Sequence, residues 1–198
     1  MSKQKGKTAA ELMAELEKDP SYLKQRSRRE EALRRTDEEY ARAEAPLVQD
    51  LRAAGSQVES VWDLVNTSGA YPTLVPTLLA HLDRPYLERV REGIARALAV
   101  PEARVGWDKL VNSYVSETDA TTHGIKWALH LAIAAAADIS VLDTLIRLAA
   151  DRRHGRNRAM FVDALARLND PSARAALDEL AGDPDLADDV RRVMKKRK

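Results

Sequence analysis

Few side chains in this 198-residue sequence are equipped for chemistry, and their spacing narrows what they can do. His123 and His130 flank Trp127, seven residues apart. Two helical turns put both imidazoles on one face, yet too far apart to chelate a single metal in the i, i+4 manner. No third ligand stands near them beyond isolated acids, so they read as surface histidines and no metal is predicted. Asp163, Arg156 and Arg192 add one carboxylate and two guanidiniums that a fold can gather near Trp127. Cysteine is absent, which removes thiolate ligands, disulfides and cysteine nucleophiles. There is no Gly-rich phosphate loop, no His-Glu-x-x-His pair and no nucleophile elbow. The expectation is a binding protein and not an enzyme, with no catalytic residues and no cofactor.

Charge does not name the partner. The net charge of +1 divides into +2 over residues 1–42, −4 over 43–150 and +3 over 151–198. Neither end is basic enough to announce a nucleic-acid surface, and aromatics interleaved with basic residues, which would mark one, are missing. The basic run Asp151-Arg-Arg-His-Gly-Arg-Asn-Arg and the terminal Lys195-Lys-Arg-Lys read as a solvated loop and tail, with phosphate or an acidic protein surface as the alternative contact. The basic segment Met1 to Lys7 runs into Thr8-Ala-Ala-Glu without an apolar stretch of signal-peptide length, and no segment approaches the roughly 18 apolar residues of a membrane span. A cytoplasmic protein that does not enter a membrane is expected.

The elements that position these residues are helices. Only 5% of residues are aromatic against 44% hydrophobic overall, which suits close helix packing through Ala, Leu and Val. A short helix is predicted over Thr8–Lys18, interrupted at Asp19-Pro20-Ser21. From Tyr22 to about Arg42 the residues are mostly charged, with Glu30/Arg34 and Glu31/Arg35 as i, i+4 pairs, so residues 1–43 read as a charged helical arm that either projects or binds a partner. The packed domain spans 44–198, starting with a helix at Pro46-Leu-Val-Gln-Asp-Leu closed by Gly55 and another at Val58–Val65.

Beyond residue 70 the sequence repeats. Ile94, Ile125 and Phe161 recur with the pairs Ala97-Leu98, Ala128-Leu129 and Ala164-Leu165 at offsets of 31 and 36, and a weaker copy carries Val190 and Val193-Met194. Spacings of three and four place each set on one helical face. Another amphipathic helix precedes each, marked by Leu78-Leu79, Leu110-Val111, Leu145-Ile146 and Leu177. Asn169-Asp-Pro and Gly182-Asp-Pro suggest a capping Asp with Pro at the first helical position. Gly93 and Gly124 weaken a helix by about 1 kcal/mol each, which makes sense where backbones crowd together. One helix pair cannot bury its face alone, so the pattern predicts stacked pairs.

On Arg89-Val-Arg-Glu-Gly-Ile-Ala-Arg-Ala-Leu and Ala164-Leu-Ala-Arg-Leu-Asn-Asp-Pro-Ser-Ala-Arg-Ala-Ala-Leu, the chain resembles the HEAT-repeat family over about residues 72–198, with 44–67 as a divergent leading pair. Thr118-Asp-Ala-Thr-Thr-His departs from the family's Pro-containing turn. The resemblance implies an all-α, right-handed α-α superhelix of about four to five helix pairs, and a protein-interaction scaffold whose second helices line a concave face. In that register Arg96, Trp127, Asp163 and Arg192 form a ladder, joined one turn away by Arg89, His123, His130 and Arg156. Trp127 either packs between layers or contacts a partner. The alternative is a HEAT-like DNA-binding protein or alkylated-base DNA glycosylase, in which Asp163 and Trp127 would act in a basic groove. A bilin lyase of HEAT-like type is a third possibility, which no residue specifically marks.

Overall fold

A computed structural model describes residues 8–118 and 124–196, and among these every regular element is helical. His123 and most of the turn at Thr118-Asp-Ala-Thr-Thr-His lie outside the described residues. The chain divides into two compact units, Met1–Arg42 and Ala43–Lys198.

In the first unit, α1 (Ala9–Leu16) opens with a capping box: the Thr8 hydroxyl accepts from the Glu11 amide while the Glu11 carboxylate accepts from the Thr8 amide. That contact holds the Glu11 carboxyl below its ordinary pKa. α2 (Pro20–Ala53) then carries the exposed pairs Arg26–Glu30 and Arg35–Glu31, at 2.8 and 2.5 Å. Glu30 thus pairs one turn back with Arg26 and not forward with Arg34.

Two helices are expected between Tyr22 and Gly55, but one is found, with Pro46 inside it. Proline removes one backbone bond, normally at a cost of about 3 kcal/mol. Burial of Leu47, Val48 and Leu51 on the following turns offsets that loss. Gly55, at φ +98°, supplies the left-handed residue that ends α2, as its position in the sequence suggests.

The second unit continues with α3 (Val61–Val65), α4 (Val75–His81), α5 (Glu88–Ala97), α6 (Trp107–Ser116), α7 (Ile125–Ala136), α8 (Leu142–Ala150), α9 (Ala159–Leu168), α10 (Pro171–Leu180) and α11 (Ala187–Lys196). Short 3-10 segments precede several of them, at Pro72–Leu74, Pro101–Gly106, Ile139–Val141 and Arg152–Arg158. Among the described residues, four helix pairs follow the leading one. The second helices pack in succession, α3 on α5, α5 on α7, α7 on α9 and α9 on α11, and a single apolar core extends from Leu47 to Val193.

The repeat residues fill that core. Ile94, Ile125, Phe161 and Val190 are all buried, as are Ala97, Ala128, Ala164 and the leucines that follow them. Gly93 is there because α3 touches α5: a Cβ on it would meet Val61 Cγ1 at 2.5 Å and the Trp62 ring at 3.1 Å. Gly124 instead stands just outside α7, as its N-terminal flanking residue.

The predicted caps hold only in part. Asp170 accepts from the Ser172 and Ala173 amides ahead of Pro171, and Asn169 takes the left-handed conformation that ends α9. Ahead of α11, Asp183 accepts from the Asp185 amide through Oδ1 and from the Ala187 amide through its carbonyl, as a capping residue does. It is buried and turned inward to Arg158.

Candidate functional site

The half-exposed side of the second helices carries the predicted ladder, which splits into two clusters of different chemistry. In the first, Ser60 and Asp63 form a capping box at the start of α3, and buried Glu44 accepts from the Ser60 hydroxyl and the Val61 amide. These contacts, with Gly93 clearing space opposite, fix Trp62. Arg89 and Arg96, two turns apart on α5, hold their guanidiniums 5.3 and 5.8 Å from the Trp62 ring centre. Arg96 also lies 4.6 Å from the ring centre of Trp127 on α7, and its Nε donates to Glu92 at 2.7 Å. One guanidinium thus links two half-buried indoles contributed by helices on either side of α5. Cation–π contacts of this kind contribute about 0.5–1 kcal/mol each when exposed and more when desolvated.

In the second cluster, Arg192 on α11 donates from both terminal nitrogens to the Asp163 carboxylate on α9, each at 2.9 Å, and from one of them to Asp189. Arg156 donates to the Asp185 carbonyl at 2.6 Å and to Asp189 at 3.0 Å. The structure therefore groups Arg89, Arg96 and Trp127 at one end of the ladder and Arg156, Asp163 and Arg192 at the other. A glycosylase-like role would need Asp163 as an open carboxylate, but both of its oxygens are engaged by Arg192.

His130 contradicts its reading as a surface residue. It is 1% exposed, set edge-on between Trp127 and Phe161, with ring centres 5.5 and 6.1 Å away. Burial pushes its pKa down to about 4, so the imidazole is neutral near pH 7. The cause lies in α7, which packs against α5, α6, α9 and two 3-10 segments and so buries Lys126 and His130 along with its apolar stripe. Helical period alone places His130 beside Trp127 but says nothing of how many neighbours surround the helix.

The basic loop is likewise only partly solvated. Arg158 is wholly buried: its guanidinium donates to the Asp183 carboxylate at 2.9 and 3.2 Å, to the Ala149 carbonyl at 2.9 Å and to the Gly155 carbonyl at 2.8 Å. The Arg158 hydrogen bond holds the Asp183 carboxyl below its ordinary pKa.

Beside it lies a polar interior that the sequence reading misses. Tyr114 is buried, donates to the Asn157 carbonyl at 3.1 Å and is pushed well above its ordinary pKa by desolvation. The His154 ring stands 4.7 Å from the Tyr114 ring, and Lys126 Nζ stands 5.2 Å from the centre of the Tyr114 ring while donating to the Glu117 carbonyl. Desolvation, and then the Lys126 charge, lower the pKa of His154; desolvation lowers that of Lys126.

Lys126, Trp127, His130, Arg153, His154 and Met160 line a cavity of about 430 Å³. Trp62 and His154 also escape the sequence reading, Trp62 because the leading pair is out of register with the others and His154 because a charged loop hides its burial. Among the described residues no three His, Asp or Glu side chains gather as metal ligands, and no helix is long and apolar enough to cross a membrane. No protein-family model matches this chain, and no curated protein or solved structure is found to be similar to it.

Proposed function

We propose that this chain is a non-enzymatic, cytoplasmic HEAT-like scaffold that holds another protein on the α3–α5–α7 face, with Trp62, Arg89, Arg96 and Trp127 as the central contact. The observation that carries the reading is the Trp62–Arg96–Trp127 stack, in which both indoles are half-buried and held by packed helices. Trp and Arg dominate the residues that carry binding energy at protein interfaces, and a surface fixed before encounter loses little side-chain entropy on docking. The charges nearby favour a protein over nucleic acid: Arg96 is neutralised by Glu92, and Arg192 by Asp163 and Asp189.

A photoreactive residue placed at Arg89 should crosslink a partner in cells, whereas the same residue at the exposed Arg174 of α10 should not. The crosslink should disappear in a folded Arg96→Ala/Trp127→Ala variant. Equal crosslinking from both positions, or full retention in the double variant, would place the partner on another face. Salt-sensitive binding to duplex DNA that is lost in Arg156→Ala/Arg192→Ala would favour the nucleic-acid reading instead.

A further inference from the structure

We propose that the cavity between α7 and the Arg152–Arg158 segment binds a small organic anion, a phosphate or carboxylate carried on a planar ring. At about 430 Å³ the space exceeds what a bare oxyanion would fill and falls within the range of small-molecule sites. Among the described residues its lining includes Lys126, Arg153 and Arg156 and no carboxylate. Asp151 and Asp189, which pair with the two arginines, stand outside the lining. The Arg153 and Arg156 side chains are 82% and 63% exposed, against carboxylates that are 23% and 16% exposed, so an incoming anion can compete for their outward N–H groups.

The histidines supply the second, independent indication. Both are more than nine-tenths buried and both line the cavity, yet Nδ1 of His130 and Nδ1 of His154 lack a hydrogen-bond partner, and Nε2 of His154 has only the Asp151 carboxylate at 3.5 Å. Buried polar atoms are almost always satisfied, and a lining that leaves two unpaired is matched to a guest that bonds them. A neutral imidazole offers one N–H to an oxyanion, and the cations at the rim supply the charge complement. Trp127 and Met160 furnish the flat and apolar flank that a ring requires. A cationic guest would meet three like charges, and among the described residues a metal ion would find no ligand set.

The inference does not depend on the protein-scaffold reading, although Trp127 borders both surfaces. Its test therefore leaves Trp127 intact. The full chain, labelled with nitrogen-15, would be titrated with phenyl phosphate, with benzoate and with benzylamine, following the side-chain nitrogen signals of its four histidines. Saturable shifts of His130 and His154 are expected with at least one anion, at a dissociation constant of about 1 mM for guests this small. The anion that binds more tightly identifies the head group. Arg153→Gln/Arg156→Gln alters two exposed side chains and should weaken binding about tenfold, the loss expected for a charge-assisted contact. The proposal is overturned if neither anion moves the histidine signals, if benzylamine binds as well as the anions, or if the double variant binds undiminished.

Discussion

The two ends of the ladder use the same cation in opposite ways. On α5, the guanidinium of Arg96 is held mainly by the faces of two indoles and by a single carboxylate contact through Nε. Around α9 and α11, Arg192 and Arg158 give their terminal nitrogens to carboxylates, bidentately in each case. Arginine against carboxylate is saturated and directional, and it fixes one helix to the next. Arginine against indole is held loosely in its own plane and presents a flat amphipathic surface. The first arrangement suits cohesion and the second suits recognition. Variants in the two regions should separate stability from binding.

The largest effect is expected at the buried pair. Asp183→Ala leaves the Arg158 guanidinium buried with only the half-exposed Asp185 carboxylate at 3.4 Å and should cost about 3 kcal/mol, read as a fall in the denaturant midpoint. Replacing both partners, as in Arg158→Met/Asp183→Leu, should recover much of that loss, which would distinguish an uncompensated charge from lost volume. The pair also has a pH signature. Because the folded-state pKa of Asp183 is depressed, its contribution is present above the ordinary carboxylate value of 3.8 and disappears as pH falls through the lower folded value.

His130, which lies between the two regions, should give the next effect. Its folded pKa of about 4 lies below the ordinary 6.5, so the unfolded chain takes up the proton first. Stability should decline as pH drops from 6.5 towards 4, by about 1.4 kcal/mol per unit from this group, and His130→Phe should flatten that slope in urea titrations. Gly93→Ala comes third. The added methyl meets Val61 at 2.5 Å, and overpacking of about 1–3 kcal/mol is set against a helix-propensity gain of about 1 kcal/mol. The net loss should be about 1 kcal/mol, with a changed tryptophan emission as Trp62 shifts. The smallest change is expected for Arg96→Gln: under about 1 kcal/mol in stability by thermal melt, with partner crosslinking reduced far more. A large melting shift there would make the stack a structural device like its counterpart on α9.

Period and turn chemistry made the helix pairs legible, because Ile94, Ile125, Phe161 and Val190 each follow a spacing that only one helical face satisfies. Asp170 and Pro171 announced their helix start for the same local reason. What stayed hidden depended on contacts distant in sequence. Arg158 meets Asp183 across 25 residues, and His154 meets Tyr114 across α7. The spacing of charges in a loop records neither. The placement of His130 failed because a helix packed on several sides has no single polar face for a register to find.

The internal position of Arg158 also bears on how the chain comes apart. Terminal helices commonly fray independently at little cost, but α10 and α11 flank the residue that neutralises a guanidinium buried at the start of α9. Peeling the last pair away would strand that charge in an apolar interior, so α8 to α11 should open as one cooperative block. Hydrogen exchange would report nearly equal protection across those four helices, and a chain cut before Gly182 should lose α9 together with what was removed.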